Sequence, residues 1–88
     1  MSYFVYLIGS FKKRKLKTYV AYTNNLKKRL KLHNTNKGAK ATRGREWIIF
    51  YQKKYKSKIN AMSKEYSLKK NRKERKKIVF KFLSTNQP

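Results

Sequence analysis

Cysteine is absent from this chain of 88 residues, so neither a disulfide framework nor a thiolate zinc site is available to it. Long apolar runs are absent too. No stretch approaches the roughly 20 apolar residues that a membrane-spanning helix needs. The run Tyr3-Phe4-Val5-Tyr6-Leu7-Ile8 is short and has no basic region before it, which makes it a poor signal peptide. A cytosolic protein without membrane partners is the expectation, in which localisation is cytoplasmic. Acids are the third scarcity: Glu46, Glu65 and Glu74 are all there are, 3 against 26 Lys and Arg. A site built on paired or clustered carboxylates is hard to assemble from so few.

What is present is positive charge. The formal net charge is +23, and a surface of this kind repels itself unless salt or an anionic partner screens it. Nucleic acid is the usual partner. Composition alone does not separate a specific enzyme from a generic basic protein of ribosomal or chromatin type. The core must come from β-branched and aromatic residues, among them 7 Tyr, 5 Phe and 1 Trp. That suffices for one thin sheet covered by helices, in a single domain near the lower limit for folding without staples. Neither an internal repeat nor a domain linker is visible, so residues 1–83 read as one domain and 84–88 as a frayed tail.

Local patterns give the order of elements. Tyr3–Ile8 reads as a strand ended by Gly9-Ser10, and Thr18–Thr23 as a second strand. The basic stretch Phe11–Lys17 would join them as a longish hairpin loop. Asn24 is placed to cap a helix from Asn25 to His33, in which Leu26 and Leu30 point to the core and Arg29 and His33 share an adjoining face at i, i+4. After a loop-forming cluster at Thr35-Asn36-Lys37-Gly38 and a small, basic segment from Gly38 to Arg45, Trp47–Tyr51 reads as the central strand, because it is apolar at consecutive positions. Ser57 would cap a helix from about Lys58 to Asn71, with Ile59, Met62, Tyr66 and Leu68 as its apolar stripe and Glu65 mid-helix. A last helix would run from about Lys73 to Leu83, carrying Ile78, Val79, Phe82 and Leu83. The order β-β-α-β-α-α predicts the α+β class, a three-stranded antiparallel or mixed sheet flanked by helices.

Hard divalent ions prefer oxygen ligands, and phosphodiester cleavage commonly uses a carboxylate to hold one. Among the three acids Glu65 is the candidate, being inside a helix whose neighbours pack. Glu74 reads as a helix-start charge, and Glu46 lies among basic residues. Taken singly, each feature has a plainer reading: Glu65 as a solvated partner of Lys69 at i, i+4, Arg29 as a face residue, His33 as a cap, Tyr6 and Tyr19 as packing tyrosines of strands.

Taken together they form a pattern. Phe4-Val5-Tyr6 and Tyr19-Val20-Ala21 stand on the hairpin, Arg29-Leu30 and His33-Asn34 on the following helix, Gly38-Ala39-Lys40-Ala41-Thr42-Arg43-Gly44 in the loop, and Ala61 to Lys69 around Glu65. In order and spacing these five blocks, spanning about Tyr3 to Lys77, resemble the GIY-YIG endonuclease superfamily, in particular its small single-domain, UvrC-like branch. The resemblance implies a metal-dependent endonuclease. Tyr6 and Tyr19 would face the scissile phosphate, one of them taking the proton of the attacking water; the family pattern fits either, and Tyr6 is favoured, with Tyr19 positioning water and phosphate. Arg29 would bind the phosphate, His33 would bind it or assist proton transfer, and Glu65 would hold one Mg²⁺ or Mn²⁺ ion. A free tyrosine has a pKa near 10, so nearby cations or the metal are expected to favour the phenolate of the tyrosine that acts as base, with the high local positive charge supplying that environment. Asn34, Lys40, Thr42 and Arg43 are assigned to substrate contact. DNA, single-stranded or branched, is the expected substrate, because the helices are committed to core and catalysis and leave none to read a long duplex site. No obligate protein partner is implied. The chain departs from the family pattern at Phe4 and Ala21, where glycines are usual, and at Tyr22, where UvrC-like domains carry lysine. The alternative is a non-catalytic nucleic-acid-binding module on the same scaffold.

Overall fold

The structure, a computed structural model describing residues 1–85, has the expected order of major elements. These are β1 (Tyr3–Lys12), β2 (Lys15–Thr23), α1 (Leu26–Asn34), β3 (Ile48–Tyr55), α2 (Lys58–Lys70) and α3 (Arg72–Thr85), with a 3₁₀ turn at Lys40–Thr42 ahead of β3. The fold is α+β. Its three strands are antiparallel throughout, in the order β2-β1-β3.

The stretch expected as a connector is mostly strand. β1 and β2 pair without interruption from Phe4↔Thr23 to Lys12↔Lys15, and only Lys13 and Arg14 turn the chain. Both have positive φ, 52° and 66°, the backbone of the tight two-residue turn whose twist matches that of the flanking strands. Gly9-Ser10 does not end β1 either. Gly9 lies mid-strand because the Phe50 ring crosses it: a Cβ there would stand 2.5 Å from the ring.

The central strand is β1, not the Trp47–Tyr51 segment. Six consecutive β1 residues, Val5 to Ser10, are buried on both faces, while Ile48 of β3 is 48% exposed. β3 is an edge strand with an irregularity: Leu7 pairs with Tyr51 and Ile8 with Ile49, so Phe50 is an extra residue. This lets Ile49 and Tyr51 serve opposite faces of the sheet.

Those faces bury two separate clusters. Val5, Leu7, Val20 and Phe50 pack beneath α2 and α3, together with Ala61 and Leu68. Tyr6, Ile8 and Trp47 pack on the other face with Leu26 and Leu30 of α1. Phe82 of α3 stacks on Phe50 with ring centroids 4.1 Å apart, and Ile78 and Val79 join the same cluster. The expected stripe of α2 is mostly at the surface: Ile59 is 78% exposed, Met62 45% and Tyr66 59%. The inward face is instead Ala61, Glu65 and Leu68, at i, i+4, i+7, because close packing on the sheet favours the small alanine over the longer side chains nearby.

Capping fixes the helix starts. Asn25, one residue later than expected, accepts from the Lys28 N–H at 3.1 Å. Ser57 accepts from the Asn60 N–H at 3.0 Å, and Asn71 from the Glu74 N–H at 3.0 Å. A Lys64–Glu74 ion pair at 2.8 Å clips α2 to α3. α3 continues through Ser84 and Thr85, two residues into the expected tail. Asn86 to Pro88, the remainder of that tail, lie outside the described residues.

Candidate active site

Tyr6 pairs across the ladder with Ala21, and Ile8 with Tyr19. The two phenols are therefore diagonal neighbours on the face covered by α1. Ala21 stands in regular strand backbone, outside the positive-φ residues, so the usual glycine is not needed here for conformational freedom. α1, started by its Asn25 cap, lays Arg29 and His33 over these tyrosines one turn apart. His33 is fully buried, with its ring centroid 5.3 Å from that of Tyr19 in an edge contact and 6.0 Å from that of Tyr6.

A directed chain of polar contacts runs through the histidine. The Thr42 hydroxyl donates to the Ala39 carbonyl at 2.8 Å, which spends its only proton. It must then accept from His33 Nδ1 at 2.9 Å, so Nδ1 carries the N–H. The other ring nitrogen of the neutral histidine is left as an acceptor, and the Tyr6 hydroxyl, 2.9 Å from Nε2, donates to it. The Arg29 guanidinium approaches that same hydroxyl and can only donate, so Tyr6 keeps a proton to give.

The loop between α1 and β3 builds the back wall of this arrangement. Asn34 brackets the Trp47 backbone, accepting from its N–H at 2.6 Å and donating to its carbonyl at 3.0 Å. Trp47, buried, donates its indole N–H to the Thr42 carbonyl at 2.8 Å. Gly38 lies against His33 so closely that a Cβ would fall 2.5 Å from Nδ1. Of the four residues assigned from the sequence to substrate contact, Lys40 and Arg43 are exposed, Thr42 is wholly buried beneath His33, and Asn34 is occupied with Trp47. The positioning role of Thr42 escaped the sequence reading. The loop block that contains it gave the only signal, and a hydroxyl in a basic loop does not announce burial.

Glu65 comes from the layer across the sheet. Its partner Lys69 lines a hollow at the free edge of β2 together with Tyr19, Thr18, Val20 and Arg75. The carboxylate is close enough to Tyr6 to raise the pKa of the phenol, and Lys69 close enough to Tyr19 for the two to interact. Glu65 is also the partner of Lys69, at 2.8 Å, so the plain i, i+4 pair exists at the same place. Its side chain is only 17% exposed. Glu74 is engaged with Lys64, and Glu46 is exposed beside Trp47. Among the described residues no three His, Cys, Asp or Glu side chains cluster as metal ligands.

Burial governs the protonation states. The Tyr6 pKa is raised from 10.0 to about 12, chiefly because the phenol is desolvated, and Arg29 offsets only part of this. The expectation that surrounding cations favour its phenolate does not hold: the excess charge lies outside, in water, while the hydroxyl lies in the interior. The His33 pKa is lowered from 6.5 by burial and by Arg29, which keeps the ring neutral at pH 7.

Comparison with known proteins places the molecule in a nuclease family. The model of the GIY-YIG catalytic domain matches residues 2–78, and the chain belongs to the GIY-YIG family. Within it the chain is similar to UPF0213 proteins. One from Streptococcus pneumoniae is 41% identical over 70 residues, covering 78% of this chain and 68% of that protein. Another, from Oceanobacillus iheyensis, is 52% identical over 52 residues, 58% of this chain and 60% of its own length. The solution structure of a UPF0213 protein from Bacillus halodurans superposes with a TM-score of 0.50 at 34% identity, covering 90% of this chain and 83% of that one. The chain spans between about half and two thirds of the length of the curated relatives it matches, 60% and 68% of these two. No helix among the described residues is long and apolar enough to cross a membrane.

Proposed function

We propose that the protein is a metal-dependent endonuclease that cleaves DNA phosphodiester bonds, acting on single-stranded or branched DNA. One observation carries this reading. A neutral, buried histidine accepts from Tyr6 while its other nitrogen is tied to Thr42, and a proton relay needs that polarity.

Tyr6 is no resting phenolate; it acts by passing its proton on. Tyr6 is wholly buried, so substrate binding first opens its hydroxyl to water; as that water attacks phosphorus, one of its protons moves to the Tyr6 oxygen and the Tyr6 proton moves to His33 Nε2. The new P–O bond forms and the P–O bond to the leaving oxygen breaks, with that oxygen taking a proton from solvent. His33 becomes an imidazolium held between Tyr6 and Thr42, then returns its proton through the Tyr6 oxygen to solvent. Arg29 lies beside the phenol and supplies the planar donor fork that a phosphate with developing charge requires. Tyr19, at the hollow on the β2 edge, positions water and phosphate.

The donor set suits a hard divalent ion of the Mg²⁺ or Mn²⁺ kind. Such ions are held by one or two carboxylates together with substrate phosphate and water, and Glu65 offers one carboxylate, shared with Lys69. When bound, the ion supplies positive charge to the phosphate and the leaving oxygen. Lys40 and Arg43, exposed on the loop, contact the phosphate strand. Thr42 and Asn34 serve by holding the histidine and the loop. A DNA-binding module without catalysis is the second reading, favoured by the complete burial of Tyr6.

A cleavage assay on single-stranded DNA with Mg²⁺ or Mn²⁺ separates the two. Wild-type protein is expected to cleave, with losses on the order of 100-fold or more in Glu65→Gln and Arg29→Ala. DNA binding without cleavage by the wild type would favour the module.

A further inference from the structure

The hollow at the β2 edge does not end at Tyr19. Through Thr18 and Arg75 it opens into a larger groove of about 490 Å³ between β2 and α3. Leu16, Val79 and Leu83 form its apolar floor, and Arg72, Lys76 and Phe80 stand along its α3 side. Arg72, Lys76 and Phe80 are spaced i, i+4, i+8 and so share one helix face. Phe80 is 74% exposed, an unusual position for a phenylalanine with apolar floor beside it. None of the three acids lines the groove: Glu74 is paired with Lys64, Glu65 with Lys69, and Glu46 lies at the far loop.

We propose that this groove is a second nucleic-acid subsite, holding the single-stranded extension of a substrate whose scissile phosphate lies at Tyr6 and Tyr19. It deepens the nuclease reading and takes its direction from that reading. Phe80 stacks on an unpaired base, and Arg72 and Lys76 hold the phosphates on either side of that base. The occupant is argued from chemistry. Cations without acids select a polyanion, and an exposed aromatic ring over an apolar floor selects one with free π-faces. A duplex presents its phosphates to such a groove but keeps its bases stacked away from Phe80, so the groove discriminates in favour of unpaired strands. Its continuity with the Tyr19 hollow runs along the β2 edge, where Leu16 to Val20 spans roughly 13 Å at ~3.3 Å per residue. A short single-stranded extension lies along such a length.

The test is binding, measured in EDTA by fluorescence anisotropy, in a Glu65→Gln background so that the oligonucleotide stays whole. The probe is an oligothymidylate of about 12 nucleotides, with a blunt duplex of equal length as comparison. Phe80→Ala is expected to weaken oligothymidylate binding by about 10-fold or more and duplex binding little, while Phe80→Trp retains affinity. Arg72→Ala with Lys76→Ala should lower the slope of log K against log salt by about 1.4, at ~0.7 for each single-strand phosphate that is no longer neutralised. Phe80 is exposed, so its removal leaves the fold intact, which thermal unfolding verifies. Equal oligothymidylate affinity for Phe80→Ala and the parent would overturn the proposal. So would a dimer that Phe80→Ala dissolves, since a second copy would then be the occupant. Because catalysis plays no part in this assay, loss of cleavage activity and loss of the subsite are read independently.

Discussion

Thr42→Val tests the proton relay at its least conspicuous member. Valine keeps the shape of threonine and removes the hydroxyl, so the packing against Trp47 and His33 is retained. Two hydrogen bonds disappear: the one accepted from His33 Nδ1 at 2.9 Å and the one donated to the Ala39 carbonyl at 2.8 Å. Leaving a buried N–H without an acceptor costs about 1–3 kcal/mol. The protein can evade part of this by moving the ring proton to Nε2, but that nitrogen then donates to Tyr6 and no longer accepts from it. An imbalance of about 1–2 kcal/mol between the two tautomers corresponds to a factor of roughly 5–30, and kcat should fall by about that factor with KM nearly unchanged. Stability should fall as well, by about 4–8 °C in Tm for each kcal/mol in a domain of this size. Stability alone would not distinguish relay from scaffold. The decisive readout is the tautomer, and the chain has a single histidine, so its two ring nitrogens are unambiguous in ¹⁵N NMR. In the wild type at pH 7, Nδ1 should be protonated and Nε2 bare; in Thr42→Val the populations should shift towards the opposite form, and Thr42→Ser should restore both tautomer and rate. A wild-type spectrum with the proton on Nε2 would refute the reasoning, as would Thr42→Val with a lowered Tm and an unchanged kcat.

Three further outcomes follow from the same geometry. His33 is lowered below 6.5 by burial and Arg29, so cleavage should be flat across neutral pH and decline as pH falls through that lowered pKa; Arg29→Gln should move the acid limb upward, read from the pH–rate profile or the His33 NMR titration. For stability the signs differ at the two ends: the His33 contribution is present above 6.5 and is lost as pH falls through the folded-state value, whereas Tyr6, raised from 10.0 to about 12, contributes about 2–3 kcal/mol below pH 10 that disappears as pH rises towards 12, measurable by urea unfolding. Gly38→Ala would place a Cβ 2.5 Å from His33 Nδ1 and 3.1 Å from its Cα, so it should displace the ring and depress cleavage more than it depresses Tm. An activity equal to the wild type would mean that the loop yields without disturbing the histidine.

The family departures take on physical meaning in this frame. Ala21 lies opposite Tyr6 in an ordinary ladder, and its methyl group joins the cluster beneath α1. The glycine usual at that position is therefore dispensable for the backbone. Tyr22, where UvrC-like domains carry lysine, packs with the Val5 and Leu7 cluster on the opposite face from the phenols, and among the described residues the lone histidine is the only neutral base bonded to Tyr6.

The sequence by itself determined the elements and where the candidate site residues stand on them: the strands around Tyr6 and Tyr19, the caps at Ser57 and near Asn24, the Arg29–His33 spacing, and Glu65 as the acid inside a helix. These are local facts, written in periodicity and in residue type. Only the tertiary structure decided that β1 is central, that Phe11–Lys17 turns in two residues, and that α2 buries Ala61, Glu65 and Leu68 in place of Ile59, Met62 and Tyr66. In a chain this rich in lysine, strand ends look like connectors, because long cationic side chains occupy edge and surface positions that carry no apolar mark. The roles of Thr42 and Asn34 were decided there too. Whether a hydroxyl meets water or a histidine depends on which distant segment closes over it, and here Trp47 and Gly38 close over the loop and turn expected surface contacts into the interior support of the site.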